Sequence, residues 1–206
     1  MRGELAPERK RNFTRLRAIL AGGLVLGIGT TATLAAWTDE EHASGTFAAG
    51  TFSIVGSTNG TVFSDHTTEP GAPLVFTVKP DAMVPGMTTY ALYSVKTAPE
   101  SVGGSVQLTA DAGNLSGLGA YLRYGVNTIA GTNCEASTFD EGTPVVNAGT
   151  ALTAGSNTMG ALAANGASTI NYCFAVTLPA DAPNEAQGTT LDGQWVFQAT
   201  TDPAGT

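Results

Sequence analysis

The residues that could carry chemistry are few, and their spacing restricts what that chemistry is. The imidazoles are His42, next to Asp39, Glu40 and Glu41, and His66, in "SDHTTEP" with Asp65 and Glu69. Asp65, His66 and Glu69 could together hold a cation weakly, but a solvated acidic loop accounts for the same residues. Neither histidine stands in an H-E-x-x-H arrangement, where one helix turn places two zinc ligands beside a general base. No G-x-S-x-G elbow, phosphate-binding loop or EF-hand loop occurs. "GLGAYLRYGVN" offers an aromatic binding patch through Tyr121, although a strand tyrosine more often packs against its neighbours. No catalytic residue, metal set or cofactor is therefore assigned, and the expectation is a protein that is not an enzyme.

The two thiols, Cys134 and Cys173, carry a different chemistry. In an exported chain a pair of thiols most simply closes one disulfide. The alternative is two buried free thiols. The compartment therefore decides, and the first forty residues bear on it.

Six of the nine basic residues (Arg2, Arg9, Lys10, Arg11, Arg15, Arg17) precede residue 18, and no charge occurs from Ala18 through Thr38. A basic start, an apolar centre and then small residues is the order of a secretory signal. The centre "AILAGGLVLGIG" is rich in glycine, which makes it a weaker membrane span than a run of Leu and Ile. Small side chains are wanted one and three residues before the cut. Thr33 and Ala35 supply them in "TLA|AW", so Ala36 is the expected first mature residue. The competing reading is a retained N-terminal anchor.

Beyond the basic run, Lys79, Lys96 and Arg123 stand against fifteen acids, a net charge of −12. Such a surface repels phosphate backbones and anionic lipid, so no nucleic-acid partner is expected, and no membrane contact except through an uncleaved signal.

"GIGTTATLAAWTDEEHASGTFAAGTFSI" resembles the export signal and first strand of substrates of the SipW-type signal peptidase, the TasA and camelysin-like secreted proteins. The shared pattern is a glycine- and threonine-bearing centre, T-[LF]-A-x-[WF]-x-D, and then a G-T-F/L-x-x-G-T segment. "VPGMTTYALYSVKT" is similar to the family's L-x-P-G-D turn and following strand, with Met87 in place of the acid. The resemblance implies a β-sandwich secreted to the cell surface or matrix, with a signal peptidase as its partner during export. In TasA-like relatives the freed N-terminal segment adds a strand to the next subunit. Camelysin-like relatives carry a metallopeptidase label, which no motif here supports.

Past residue 45 the apolar period is two. Ile170, Tyr172, Phe174, Val176 and Leu178 share one face of "STINYCFAVTL". Leu74, Phe76 and Val78 alternate in "PLVFTVK", Val106 and Leu108 in "SVQLTAD", Leu122, Tyr124 and Val126 in "AYLRYGVN", and Trp195 and Phe197 in "GQWVFQAT". Strict alternation predicts half-buried antiparallel strands. Turn chemistry separates them in "STNG", "KPDAMVPG", "PADAP" and "TTLDG". Residues 147–169 read as loop or edge structure. Cys173 falls opposite the apolar face of its strand, within reach of a loop residue such as Cys134. Eight or nine short strands predict an all-β antiparallel sandwich, a jelly roll in particular. The expected organisation is a signal over 1–35, an arm over 36–47 and a sandwich over 48–206.

The motif GTF occurs twice, and Phe47 and Phe52 stand five residues apart, on opposite faces of any straight strand. Gly50 between them is a natural break. The arm, with Trp37 and Phe47 as anchors, is then free to add to a neighbouring subunit, giving a homo-oligomer or fibre. Three functions remain open: a secreted structural matrix protein, a monomeric module binding polysaccharide or protein, and a secreted hydrolase with an unrecognised site.

Overall fold

Alternating apolar residues commit the chain to strands, and eight form in the computed structural model, which describes residues 13–23, 39–78 and 80–201. They are β1 (Ile54–Ser57), β2 (Thr88–Thr97), β3 (Gly104–Ala110), β4 (Arg123–Ile129), β5 (Thr143–Thr150), β6 (Gly160–Leu162), β7 (Ile170–Thr177) and β8 (Trp195–Thr201). Among the described residues two α-helices accompany them, α1 over residues 13–23 and the five-residue α2 (Ala136–Asp140), with short 3-10 turns between strands. The chain divides into Met1–Phe47 and Ala48–Thr206. In the first unit α1 exposes Phe13, Leu16, Ile19 and Leu20. Among the described residues no helix is long and apolar enough to cross a membrane.

The second unit is all-β. One antiparallel sheet has the order β1-β2-β7-β4-β5 and the other β6-β3-β8. Strands β2 and β7, β3 and β6, and β4 and β5 pair as nested antiparallel rungs. β1 pairs with β2, not with β8. Gly56 is needed there because a side chain would collide with the Tyr93 hydroxyl.

The sheets meet through the alternating residues. Val95, Val106, Leu108, Tyr124, Val126, Tyr172, Phe174 and Val176 are buried in one core. From β8, Phe197 stacks on Tyr93 at 4.9 Å and packs on Tyr172 at 4.8 Å, while Trp195 meets Phe174 at 5.4 Å. Each such ring pair adds about 0.5–1.5 kcal/mol beyond burial. Tyr121 is half-buried and also packs against this core.

Two expectations need correction or extension. Residues 73–78 of "PLVFTVK" form no strand and touch β2 at the bridge Phe76–Ala91, and Lys79 lies outside the described residues. The Thr89 hydroxyl donates to the Val78 carbonyl at 3.0 Å and lies 3.4 Å from its N–H, so a side chain replaces the ladder there. Residues 147–169 do hold edge structure: the end of β5, and β6, each last in its sheet.

Burial pushes the phenols of Tyr124 and Tyr172 up to about 12, and raises Tyr93 as well. Trp195 Nε1 is buried and meets no acceptor in hydrogen-bonding geometry among the described residues. It still lies close enough to the Tyr124 hydroxyl to favour the phenolate, a weaker influence than burial. A folded pKa raised above the unfolded value of 10.0 means the stabilisation is full below pH 10 and is lost as pH climbs towards 12. Alkaline titration followed by tyrosinate absorbance and circular dichroism should show Tyr124 and Tyr172 ionising together with loss of the fold. Early, fold-neutral ionisation of all five tyrosines would contradict this packing.

Candidate assembly edge

The β-domain carries one covalent cross-link. Cys134 and Cys173 form a disulfide with their Cα atoms 5.3 Å apart. Cys173 lies on the outer face of β7, opposite the main core. There Leu92, Ile129, Phe139, Ala175 and the two cysteines form a second, smaller core under α2. Asn127 Nδ2 donates to the Phe139 carbonyl at 2.7 Å and ties the helix to β4. A closed disulfide fits an oxidising compartment.

The other reactive groups stay apart. Asp65, His66 and Glu69 are exposed, and His66 Nε2 lies 3.1 Å from Ser64 Oγ. His42 Nε2 sits 3.7 Å from Glu40, both largely exposed, an arrangement worth little in water. Among the described residues no group of three metal-ligating side chains comes together.

Unpaired strand edges are the remaining chemistry: rows of N–H and C=O groups able to pair with another chain. Three of the four sheet edges are blunted. The edge of β1 is covered at its middle, where Gly56 and Ser64 exchange both main-chain hydrogen bonds at 3.0 Å. β5 carries Pro144, and its pairing with β4 slips register twice. β6 is only three residues long.

β8 has none of these devices. It runs seven residues, "WVFQATT", with no proline and no charge, in unbroken register with β3. Its start is held by Asn114, which is buried and bonds both main-chain groups of Gln194 at 2.8 Å. Asp111 N–H donates to the Gln194 carbonyl, so alternation turns Val196, Gln198 and Thr200 towards β3. The main-chain groups of Trp195, Phe197, Ala199 and Thr201 therefore point outward. They have no backbone partner among the described residues. Val196, 48% exposed, adds an apolar side chain to the open face.

Of the residues expected to act, the structure describes part. Thr33, Ala35, Ala36 and Trp37 lie outside the described residues. Residues 39–50 form neither helix nor strand and are exposed throughout, with Phe47 96% exposed. Five residues on, Phe52 is half-buried, and its ring closes over Gly104. Thr51 and Ser101 form a bridge, and Val102 N–H donates to the Thr51 carbonyl at 2.9 Å. Attachment to the sandwich thus begins at Thr51, beside Gly50. The open edge itself was not legible in the sequence. Its one signal is negative: "WVFQATT" lacks the charges and prolines that protect edges.

The chain matches no family model and no curated protein.

Proposed function

We propose that this is a secreted structural protein that self-assembles by strand addition, the N-terminal arm of one copy pairing with the open edge of β8 on the next. The observation that carries the reading is β8: a long, uncharged, regular edge where the other three are blunted. Backbone pairing along an open edge supplies affinity, and side chains set register. The arm brings Trp37 and Phe47 as anchors. Its acids Asp39, Glu40 and Glu41 meet no charge within β8, although Asp192 and Asp202 flank that strand in the sequence.

The nested rungs β2–β7, β3–β6 and β4–β5 support a jelly roll, an antiparallel ribbon wrapped on itself. The outermost rung would join β1 to β8. Because β1 pairs with β2 instead, that rung is missing and β8 is left open. The disulfide and the signal-like N-terminus support export, with a signal peptidase of the SipW type releasing the arm at Ala36.

Protein beginning at Ala36 should form oligomers or filaments under electron microscopy and sedimentation, and protein beginning at Thr51 should stay monomeric. Two monomeric preparations at high concentration in physiological salt would overturn the reading.

A further inference from the structure

The outer face of the five-stranded sheet carries a cleft of about 540 Å³, lined by Thr77, Tyr90, Asn133, Cys134, Glu135 and Ser137. That volume lies within the range of small-molecule sites, about 300–1,000 Å³. Its construction is rigid. The disulfide fixes Cys134 to β7. Around it, Asn133 Nδ2 donates to Glu135 Oε1 at 2.9 Å and Ser137 Oγ to the same oxygen at 3.2 Å. Thr138 Oγ1 bonds the Asn133 carbonyl at 2.7 Å and accepts from the Glu135 N–H at 3.1 Å. The Asn133, Glu135 and Ser137 side chains are thus bonded to one another, and Thr138 to the main chain beside them, before any ligand arrives, which lowers the entropy lost on binding.

Among the described residues Tyr90 is the one aromatic ring lining the cleft. It stands on the outer face of β2, half-buried, with Phe139 packed behind it at 6.0 Å. Burial, and then the nearby Asp140 carboxylate, raise its phenol pKa above the ordinary value.

The lining selects the ligand. Among the described residues no lysine or arginine lines the cleft, Glu135 does, and the Asp140 carboxylate acts on Tyr90, so an anion is disfavoured. No metal-ligating group of three is present among the described residues. One ring among amide, carboxylate and hydroxyl groups suits a ligand with an apolar C–H face and many hydroxyls. We propose that this cleft binds a neutral saccharide, with one sugar ring on Tyr90 and its hydroxyls bonded by Thr77, Asn133, Glu135 and Ser137. Shallow, open placement on a sheet face lets the site take a unit within a longer chain.

The test is a chemical-shift titration of the disulfide-bonded protein beginning at Thr51, which carries no assembly arm. The probes are the neutral tetrasaccharides of cellulose, chitin, mannan and starch, with tetragalacturonate as the anionic comparison, each at up to about 10 mM. At least one neutral probe should shift the amides of Tyr90, Asn133 and Glu135 saturably, and tetragalacturonate should not. Tyr90→Ala should weaken that binding about tenfold or more, and Tyr90→Phe should largely keep it. Should Tyr90→Ala unfold the domain, Asn133→Ala, at an exposed site, should give a severalfold loss. No saturable shift with any neutral probe, shifts confined elsewhere, or equal binding by Tyr90→Ala and Asn133→Ala would overturn the proposal.

Discussion

Replacing Ala199 by proline should leave the sandwich folded and abolish self-association. The Ala199 N–H points away from β3, so losing it breaks no rung of the β3–β8 ladder. Proline is tolerated on a strand edge for that reason. An incoming strand, however, would lose one donor, face a ring in its path and leave a carbonyl unpaired. That carbonyl alone costs about 1–3 kcal/mol. Every added subunit repeats the loss, so growth should stop. Gln198→Pro makes the contrast: its N–H faces β3, so that variant should destabilise the monomer itself. Urea unfolding of the two variants, with sedimentation of Ala199→Pro, separates the effects. Filaments formed by Ala199→Pro at the parent concentration would remove β8 from the account.

Replacing both cysteines by alanine should lower the unfolding free energy by about 4 kcal/mol, the chain-entropy value for a closed loop of this length. The bond joins residues 39 apart, and it also roofs the second core above Leu92 and Ala175. Domains are typically stable by about 5–15 kcal/mol, so the variant should be marginal. Chemical unfolding with and without reductant measures this. A loss under about 1 kcal/mol would mean that α2 and its packing hold the outer face unaided.

Alternation made most of the strands legible. Tyr172, Phe174 and Val176, or Trp195 and Phe197, can point to one side only, and they meet in one core. The same logic overreached at Leu74, Phe76 and Val78, where the pattern is right but pairing with β2 stops at the Phe76–Ala91 bridge and the Thr89 hydroxyl takes over at Val78. It also passed over the second core. Leu92, Ile129 and Ala175 sit on the faces that alternation assigns to solvent, and only the three-dimensional return of α2 covers them. Cys173 was the one visible sign that this face is occupied.

The candidate sites were less legible, for a physical reason. An open edge is defined by which strand fails to pair, and a period of two says nothing about partners. Nothing in "IVGS" announces that β1 leaves β8 for β2. Tyr90 was likewise hidden, since its importance depends on residues more than forty positions away folding over the same sheet face. Phe47 and Phe52 were separable in sequence by their odd spacing, and their surroundings differ accordingly: one ring is in solvent and the other closes over Gly104.

The most direct test of strand addition at β8 is amide hydrogen exchange at Trp195, Phe197, Ala199 and Thr201. In protein beginning at Thr51 these four outward amides should exchange rapidly, while those of Val196, Gln198 and Thr200 are protected by β3. In assemblies of protein beginning at Ala36, all four should slow by about a hundredfold or more, as ladder amides do. Assemblies in which these four stay fast, with new protection along β5 or in the arm alone, would contradict the account.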